Sequence, residues 1–359
     1  MQPLQSTINA TSAIQLPTLH TVLSKSGVDE RLEHFIETQR DEIKDILSGK
    51  NQRMLVIIGP CSIHDPNATL EYAHRLAKVQ KQFSQTLKIV MRTYFEKPRT
   101  RKGWKGFIID PELTGHFKLE KGIYQSRSLL KSILELGVPT ATEFLDTSIA
   151  PYIADLVCWG AIGARTTESQ PHRQLASGLN CAIGFKNGTD GNTSISIDAI
   201  HAAGDSHLLV TSGSNGQPIA LQTAGNPYCH VILRGGLAPN YLSLNVRSTA
   251  YDLEYNKLAT NLIIDCSHGN SGKIAKNQLN VINNICNQLT TGETSIKGVM
   301  CESFLKGGNQ ALNSGELCYG KSITDECLDW DDSVSFLSKI DEAVKVAYLK
   351  NEYIHSEIA

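Results

Sequence analysis

The sequence predicts an α/β protein, a (β/α)8 barrel of the TIM type with an N-terminal helical extension and an inserted β-hairpin. Eight short apolar runs follow one another along the chain, and segments with apolar residues at helical spacing separate most of them. Continuous apolar strands alternating with helices are typical of a parallel sheet covered by helices. Eight such units match this barrel, and the length of 359 residues suits it. A doubly wound open sheet is the alternative.

The predicted strands are defined by their apolar residues and by the polar or turn residues around them. In chain order they are `RMLVIIGP`, `LKIVMRTY`, `VPTATEF`, `GAIGAR`, `CAIGFK`, `CHVILRG`, `NLIIDCSH` and `IKGVMCES`. After the first of them, Asp65 and Pro66 provide the N-cap and the first position of a helix. This strand-to-helix sequence sets the pattern for the rest of the chain.

Two segments do not fit this alternation. Residues 1–50 form a predicted extension, with a polar arm over residues 1–27 and a helix from Asp29 to Ser48 that Gly49 ends. Residues 51–359 form the predicted catalytic barrel. Within it, residues 207–223 read as two strands joined through Asn215-Gly216, a hairpin before the sixth barrel strand.

Composition limits the class of partner. The chain has 34 Lys and Arg against 36 Asp and Glu, a net charge of −2, which argues against a nucleic-acid-binding protein. It has neither a signal segment at its start nor eighteen consecutive apolar residues, so we expect a cytoplasmic protein without a membrane interaction. Its nine cysteines lack CxxC spacing and suggest reduced thiols.

Positive charge is concentrated where the predicted strands end. In a parallel barrel these ends form the catalytic face. The third strand ends at Glu143, and four others end at cations, with two more cations just beyond the second strand: Arg92, Lys97, Arg99, Arg165, Lys186 and Arg234. The segment from Lys97 to Lys105 alone carries five cations in nine residues. Like charges converge only where an anion sits among them, so the rim predicts a multiply anionic substrate.

A second group of strand-end residues has metal-binding side chains. Its members are Cys61, His268, Glu302 and, beyond the eighth strand, Asp325. Each residue taken singly has a simpler structural explanation, such as a buried thiol or a hydrogen-bonded histidine. Their joint arrival at the first, seventh and eighth strands, which are neighbours in a closed barrel, predicts a divalent metal. Mixed S, N and O donors favour Mn²⁺, Fe²⁺, Co²⁺ or Zn²⁺ over Mg²⁺ and Ca²⁺.

Long motifs in the same order resemble the type I 3-deoxy-D-arabino-heptulosonate-7-phosphate (DAHP) synthases, and in particular their short, feedback-regulated microbial group. The motifs are `IGPCSIHDP`, `VMRTYFEKPRT`, `GWKG`, `ATEFLD`, `WGAIGARTTESQ`, `GFKNGTDG`, `VILRGG`, `SHGNS` and `YGKSITD`. The resemblance runs from about residue 50 to the C-terminus. It implies a metal-dependent transferase that condenses phosphoenolpyruvate with erythrose 4-phosphate, the first step of the shikimate pathway to the aromatic amino acids.

The resemblance also implies a role for each motif residue. The metal ligands would be Cys61, His268, Glu302 and Asp325. The residues around phosphoenolpyruvate would be Arg92, Lys97, Glu143, Gly163, Ala164, Arg165, Lys186 and Arg234. Lys97, Arg99 and Thr100 would reach erythrose 4-phosphate. We expect Lys97 to transfer a proton near the aldehyde and Glu143 to orient the attacking water. His172 follows the `TTESQ` motif, and the sequence assigns it no role.

Further expectations concern regulation and assembly. The group is inhibited by phenylalanine, tyrosine or tryptophan, and the effector is selected by variable residues around the hairpin and the extension. We therefore expect inhibition by an aromatic amino acid, and a homodimer or homotetramer. Cys327 lies two residues beyond Asp325, which predicts an oxidative disulfide with Cys61 that expels the metal.

Three other functions compete with this one. A 3-deoxy-D-manno-octulosonate-8-phosphate synthase would use arabinose 5-phosphate, but the long extension, the hairpin and `KPRT` favour the DAHP enzyme. A silent anion-binding protein on the same scaffold is disfavoured because every predicted ligand and rim cation is present. A metal-dependent hydrolase or isomerase would not need so many cations.

Overall fold

The computed structural model describes residues 9, 12–99, 101–312 and 315–358, with side chains described up to residue 350. Eight parallel strands close into a barrel in the order β1-β2-β3-β4-β5-β8-β9-β10, which confirms the predicted fold class. The barrel strands are β1 (Met54–Gly59), β2 (Leu87–Arg92), β3 (Thr140–Glu143), β4 (Trp159–Ile162), β5 (Ala182–Lys186), β8 (His230–Leu233), β9 (Leu262–Asp265) and β10 (Ile296–Glu302).

Helices cover the outside of this barrel and connect its strands. They are α1 (Leu19–Ser26), α2 (Glu30–Leu47), α3 (Pro66–Val79), α4 (Leu119–Glu135), α5 (Gln170–Gly178), α6 (Ser194–Gly204), α7 (Ser243–Tyr255), α8 (His268–Ser271), α9 (Asn277–Thr290) and α10 (Trp330–Ile358). Two short 3₁₀ helices, Ala150–Tyr152 and Ala154–Leu156, lie between β3 and β4. In the part of the chain that the structure describes, none of the helices has the length and apolar character to span a membrane.

The cap of α3 shows why the first βα unit forms as predicted. The Asp65 carboxylate accepts hydrogen bonds from the backbone N–H groups of Asn67 and Ala68, and Pro66 occupies the first turn, where no N–H is needed. The helix then buries Tyr72, Ala73 and Leu76. A side-chain cap of this kind stabilises a helix by about 1 kcal/mol.

Helix α2 covers the N-terminal end of the barrel. Asp29 caps it through the Leu32 N–H, and Gly49 follows its end with a left-handed φ of 79°. Lys88, near the start of β2, donates to the Glu42 carboxylate at 2.8 Å, and Arg40 donates to the Val157 carbonyl, which precedes β4. The extension therefore closes the end opposite to the rim of strand ends. The predicted division at residue 50 stays a prediction.

The inserted hairpin has the position that the sequence predicts. Strands β6 (Leu208–Ser212) and β7 (Pro218–Gln222) pair antiparallel outside the barrel, and Gly216 lies in their turn with a φ of 84°. Along β6 the side chains alternate between exposed and half-buried, with Leu209 and Thr211 facing inward. The hairpin thus carries a half-buried face toward the body of the protein and an exposed face on the other side.

The structure contains several short elements that the sequence did not predict. Helix α1 lies in the predicted polar arm, where Thr18 caps it and Val22 is buried. A small parallel sheet of β11 (Lys306–Asn309) and β12 (Lys321–Ser322) follows the last barrel strand. These elements have too few residues to produce a clear hydrophobic period, so their signal falls below that of the barrel units.

Candidate active site

The predicted rim residues sit on or just beyond the C-terminal ends of the barrel strands. Arg92, Glu143, Lys186 and Glu302 are the last residues of their strands. The predicted ends of the fourth and seventh strands need correction. β4 ends at Ile162 and β9 at Asp265, so Arg165 lies in a turn and His268 begins α8. Because both strands are short, Arg165 reaches the rim from a turn and His268 from the start of a helix.

One pocket of about 260 Å³ collects most of the predicted substrate residues. The residues that line it and that the sequence also predicted are Arg92, Lys97, Arg99, Glu143, Gly163, Ala164, Arg165, Lys186, Arg234, His268 and Asp325. Lys273, Tyr94 and Glu96 line it as well. Cys61 and Glu302 are fully or almost fully buried nearby, and Thr100 lies outside the described residues.

Glu143 and Lys186 form a buried ion pair on one wall of the pocket. Their Oε2 and Nζ atoms are 3.2 Å apart. Burial alone would raise the pKa of Glu143, but Lys186 and then Lys97 outweigh it and hold the pKa below the ordinary value. A Cβ at Gly163 would lie 2.5 Å from Glu143 Oε1, so a larger residue there would force the carboxylate to move. Glu143 is therefore an ionised hydrogen-bond acceptor at neutral pH.

Arg92 is held rigidly in the interior. Its Nη2 atom lies 3.1 Å from Glu302 Oε1, and its guanidinium carbon lies 4.0 Å from the centre of the Tyr94 ring. The Lys186 ammonium approaches the same ring at 5.6 Å. A tyrosine ring that faces two cations offsets part of their burial cost. Sequence reasoning missed Tyr94, although it is part of the `RTYFEKPRT` motif.

Three predicted metal ligands lie together. One donor atom each of Cys61, Glu302 and Asp325 falls within 4.8 Å of the others. His268 borders this group, with Nε2 at 3.7 Å from Glu302 Oε1, but does not belong to it at that distance limit. The backbone of His268 is left-handed, with a φ of 53°, which is a strained conformation for a non-glycine residue.

The ammonium group of Lys97 lies next to this set of donor atoms, which shows that the set accommodates positive charge. Lys97 Nζ lies 2.7 Å from Cys61 Sγ and 3.9 Å from Asp325 Oδ2. Burial lowers the pKa of Lys97, but Cys61, Glu302 and Asp325 raise it more, so the ammonium stays protonated. A thiol, two carboxylates and a neighbouring imidazole fit a divalent transition metal, and two of these groups already lie within 3.9 Å of a cation.

Cys61 carries a proton in this arrangement. Burial and the neighbouring Glu302 charge raise the pKa of the Cys61 thiol to about 11. Asp325 behaves oppositely, since Lys97 and His268 outweigh the effect of burial and hold its pKa below the ordinary value. Metal ligation requires the thiolate, so a metal that binds Cys61 must displace this proton.

Asp265 connects the predicted metal ligands with the predicted phosphoenolpyruvate residues. It is fully buried, and its Oδ2 atom lies 2.9 Å from His268 Nδ1 and 3.7 Å from Lys186 Nζ. Ser267 donates to Oδ1 from both its N–H and its hydroxyl. Burial raises the pKa of Asp265, but His268 and Lys186 lower it well below the ordinary value. Sequence reasoning missed Asp265 because it took the later His268 as the end of this strand.

His172 has a structural environment. Its Nε2 atom lies 2.7 Å from the Leu145 carbonyl, and its Nδ1 atom lies 2.8 Å from the Ser169 hydroxyl. Since a carbonyl only accepts, Nε2 is the donor and Nδ1 accepts from Ser169 when the ring is neutral. His172 thus links the loops after β3 and β4, and it does not line the pocket.

Glu96 also holds the loop after β3. Its carboxylate accepts from the backbone N–H groups of Leu145 and Asp146, and burial raises its pKa to about 8. In the buried region next to the pocket, Cys327 Sγ accepts from the Cys61 N–H at 3.4 Å. Both thiols are free, and their oxidative pairing stays a prediction.

A second cavity of about 280 Å³ lies beneath the hairpin. It is bounded by the inward face of β6 and by residues of α1, α5 and the first 3₁₀ helix, among them Leu19, Pro151, Leu175, Leu179 and Leu209. A neighbouring cavity of about 320 Å³ shares Ala154, Gly178 and Leu179 with it and is lined by Glu33, Glu37, Arg40, Asp155 and Asn180. Together they give an apolar chamber beside a charged one, away from the rim pocket.

Comparison with known proteins identifies relatives over most of the chain. The sequence profile of the DAHP synthetase I family matches residues 30–338. The Trp-sensitive phospho-2-dehydro-3-deoxyheptonate aldolase of Escherichia coli O157:H7 is 51% identical over 316 residues, which cover 88% of this chain and 90% of the relative. The Trp-sensitive aldolase of Buchnera aphidicola subsp. Schizaphis graminum is 51% identical over 334 residues, covering 93% and 96%.

A solved structure shares the fold. The phospho-2-dehydro-3-deoxyheptonate aldolase from Francisella tularensis SCHU S4 superposes with a TM-score of 0.93 at 42% sequence identity. The match covers 94% of this chain and 99% of that structure. The overall fold is therefore similar in the two proteins.

Proposed function

The chain belongs to the DAHP synthetase I family, and we propose that it condenses phosphoenolpyruvate with erythrose 4-phosphate and water to give DAHP and inorganic phosphate. This is the first step of aromatic amino acid biosynthesis. The name of the relatives describes cleavage of the same product. The observation that carries the proposal is the rim pocket, where cations for two phosphorylated substrates lie beside a group of metal-binding side chains.

Different cations of the pocket bind the two substrates. Arg92, Arg165, Lys186 and Arg234 bind the phosphate and carboxylate of phosphoenolpyruvate, and the Gly163 and Ala164 backbone supports the same molecule. Arg99 binds erythrose 4-phosphate, together with Thr100, and Lys97 lies between the two substrates. Guanidinium groups suit the bidentate recognition of phosphate and carboxylate. Because Arg92 and Lys186 are buried, their attraction to the substrate anions is stronger than it would be in water.

Bond formation joins C3 of phosphoenolpyruvate to the aldehyde carbon of erythrose 4-phosphate. The aldehyde oxygen gains negative charge as this bond forms, and we assign the Lys97 ammonium as its proton donor. Water adds to C2, which has lost electron density, and the resulting hemiketal phosphate releases inorganic phosphate. The ionised Glu143 carboxylate orients that water and accepts its proton.

We assign the metal to Cys61, His268, Glu302 and Asp325. A divalent Mn²⁺, Fe²⁺, Co²⁺ or Zn²⁺ ion bound there supplies Lewis-acid polarisation of the aldehyde. Support comes from the grouped donors and from the Lys97 ammonium that already lies against two of them. Asp265 orients the His268 ring through Nδ1 and leaves Nε2 directed toward Glu302.

The decisive assay follows phosphoenolpyruvate by its ultraviolet absorbance, with metal-loaded protein and either erythrose 4-phosphate or arabinose 5-phosphate. We expect consumption only with erythrose 4-phosphate, and its loss after chelation. Consumption with arabinose 5-phosphate instead would identify the octulosonate enzyme. If phosphoenolpyruvate is consumed with neither sugar, in the presence of any of the four metals, the protein is not an enzyme of this class.

Two variants test the residue roles in the same assay. Lys97→Met should lower kcat strongly, because the aldehyde oxygen loses its proton donor, and near-normal turnover would remove that role. Glu143→Gln keeps the size of the side chain but cannot accept a proton, so its kinetics should fall well below wild type. Typical losses on removal of a general acid or base are about 10²–10⁴-fold.

We further propose that tryptophan inhibits the enzyme. The relatives at 51% identity are named as Trp-sensitive. The apolar cavity beneath the hairpin suits an aromatic side chain, and the adjoining charged cavity suits an amino acid's ammonium and carboxylate groups. The assay repeated with tryptophan, tyrosine and phenylalanine at millimolar concentration should show the largest inhibition with tryptophan. No inhibition by any of them would reject feedback control.

Assembly and location complete the proposal. We propose a cytoplasmic homodimer or homotetramer, with neither nucleic acid nor membrane as a partner. The outward face of the hairpin supports self-association, since Leu208 and Val210 are both exposed there. Light scattering coupled to size-exclusion chromatography measures the mass directly, and a monomer at micromolar concentration would contradict the proposal.

A further inference from the structure

Three of the deep cations in the rim pocket already have acidic partners within the protein. Arg92 pairs with Glu302, Lys186 with Glu143, and Lys97 with Asp325. These pairs keep the interior close to neutral before any substrate binds. Substrate phosphates that arrive at the mouth therefore depend on the cations nearer to the surface.

Lys273 lines the pocket but lies outside the motifs that resemble the family. It lies five residues beyond His268 in the loop after α8, and it is exposed at the mouth. In the described ranges, which exclude residues 1–8, 10, 11, 100, 313, 314 and 359, it has no carboxylate within 4.0 Å. Lys276, three residues later, differs because it pairs with Asp332 at 3.4 Å and lies outside the pocket.

The backbone holds Lys273 in an unusual conformation. Its φ is 62°, directly after Gly272 at 61°, and its N–H donates to the His268 carbonyl at 2.9 Å. A left-handed conformation is uncommon for a residue with a side chain and persists only where surrounding contacts enforce it. The loop is thus fixed in a turn that presents a long cationic side chain at the pocket.

The charge of Lys273 acts on the metal side of the pocket. The Lys273 N–H donates to the carbonyl of His268, and Lys273 lines the pocket together with His268 and Asp325. Lys273 therefore lies beside the proposed metal ligands. Since it is exposed while Cys61 is buried, it stands on the outward side of the metal-binding group.

The substrate charges leave a place for this cation. On the function proposed above, four cations serve phosphoenolpyruvate, whereas the dianionic phosphate of erythrose 4-phosphate has Arg99 as its one assigned cation besides the shared Lys97. The aldehyde of that sugar points inward to Lys97, so its phosphate points outward to the mouth. Arg99 and Lys273 both line that mouth, on the loops that follow β2 and β9.

We propose that Lys273 binds the phosphate of the acceptor aldose phosphate, together with Arg99. This inference rests on the proposed function and adds a substrate-binding residue to it. The loop that carries the metal ligand His268 then also holds the sugar phosphate. One rigid turn would set the distance between the aldehyde and its phosphate and favour a sugar of one chain length.

The test compares Lys273→Met, Lys273→Arg and the matched control Lys276→Met in the metal-loaded enzyme. We expect Lys273→Met to raise the KM for erythrose 4-phosphate about tenfold, the usual effect of losing one charged hydrogen bond. The KM for phosphoenolpyruvate should stay unchanged. Lys273→Arg should restore most of the affinity, and Lys276→Met should behave as wild type.

A sugar without phosphate separates phosphate binding from a general role. With D-erythrose as the acceptor, kcat/KM should be equal in wild type and Lys273→Met. Equal losses with both sugars, a raised KM for phosphoenolpyruvate, or an unchanged KM for erythrose 4-phosphate would each overturn the inference. A wild-type enzyme that does not use erythrose 4-phosphate would instead overturn the proposed function.

Discussion

At the scale of single residues, Cys61 is the proposed metal ligand whose environment differs most from that of a free thiol. Its thiol lies 2.7 Å from the Lys97 ammonium and is fully buried. Burial and Glu302 raise the thiol pKa to about 11, so the protonated form predominates at neutral pH. On the proposed ligand set, a metal ion would compete with a proton for this sulfur.

We expect the metal affinity of the protein to rise with pH between pH 8 and pH 9, where ordinary imidazoles are already neutral. The raised thiol pKa means that the thiolate fraction increases about tenfold per pH unit there. Competition with a chelator at both pH values should show about a tenfold gain, with one proton released per metal. An affinity that is constant over this range would show that Cys61 does not ligate the metal.

Asp265 is the residue whose replacement should affect two sites at once. Asp265→Asn removes the charge that faces His268 Nδ1 and Lys186. We expect metal affinity to fall about 10–100-fold, as for other losses of a carboxylate behind a ligating histidine, and the KM for phosphoenolpyruvate to rise. Metal titration and steady-state kinetics measure the two effects separately.

A surface carboxylate provides the control for this variant. Asp190→Asn changes an exposed residue near the rim and should leave both values as in wild type. Circular dichroism and thermal unfolding establish that the Asp265→Asn protein is folded. Unchanged metal affinity in folded Asp265→Asn would contradict the positioning role.

At the scale of secondary-structure elements, the hairpin has two faces with different environments. Leu209 of β6 is half-buried and lines the apolar cavity, whereas Val210 beside it is 73% exposed. Because adjacent residues of a strand point to opposite sides, one element can form a cavity wall and an exposed surface. This separation allows the two faces to be changed independently.

We expect Leu209→Ala to weaken inhibition by tryptophan about tenfold, because the effector loses apolar contact in the cavity. Val210→Ala changes the opposite face of the same strand and should leave inhibition unaltered. Inhibition curves at fixed substrate concentrations measure both, and kcat without effector should be normal in each. Equal inhibition of Leu209→Ala and wild type would place the effector elsewhere.

At the scale of the whole molecule, the predicted metal group joins distant parts of the chain. Cys61 follows β1, Glu302 ends β10, and Asp325 lies beyond β12. A metal bound by all three links the two strands where the barrel closes with the loop beyond them. Because the unfolded chain does not bring these donors together, metal binding at this group would stabilise the folded state.

We expect the metal-loaded protein to unfold at a higher temperature than the chelated protein. At a free metal concentration of one hundred times Kd, the free energy of unfolding rises by about 2.7 kcal/mol. Differential scanning calorimetry with and without metal measures the shift. Asp325→Asn should reduce the shift by weakening the site, and an identical shift in this variant would exclude Asp325 as a ligand.

The sequence by itself determined the features that depend on local pattern. Apolar runs of strand length predicted all eight barrel strands, Asp65-Pro66 predicted the start of α3, and Asn215-Gly216 predicted the hairpin turn. Strand-end position also selected most of the charged residues that line the rim pocket. These patterns can be recognised in the sequence alone, because strand period, helix capping and turn formation involve residues only a few positions apart.

The tertiary structure decided which of these side chains meet. Cys61 and Asp325 are 264 residues apart in sequence, yet their side chains lie 3.7 Å from each other. Only barrel closure brings Lys97 against Cys61 and places Asp265 between His268 and Lys186. The left-handed turn that presents Lys273 leaves no periodic signal either. Such contacts depend on the register and curvature of all eight strands, which no local pattern encodes.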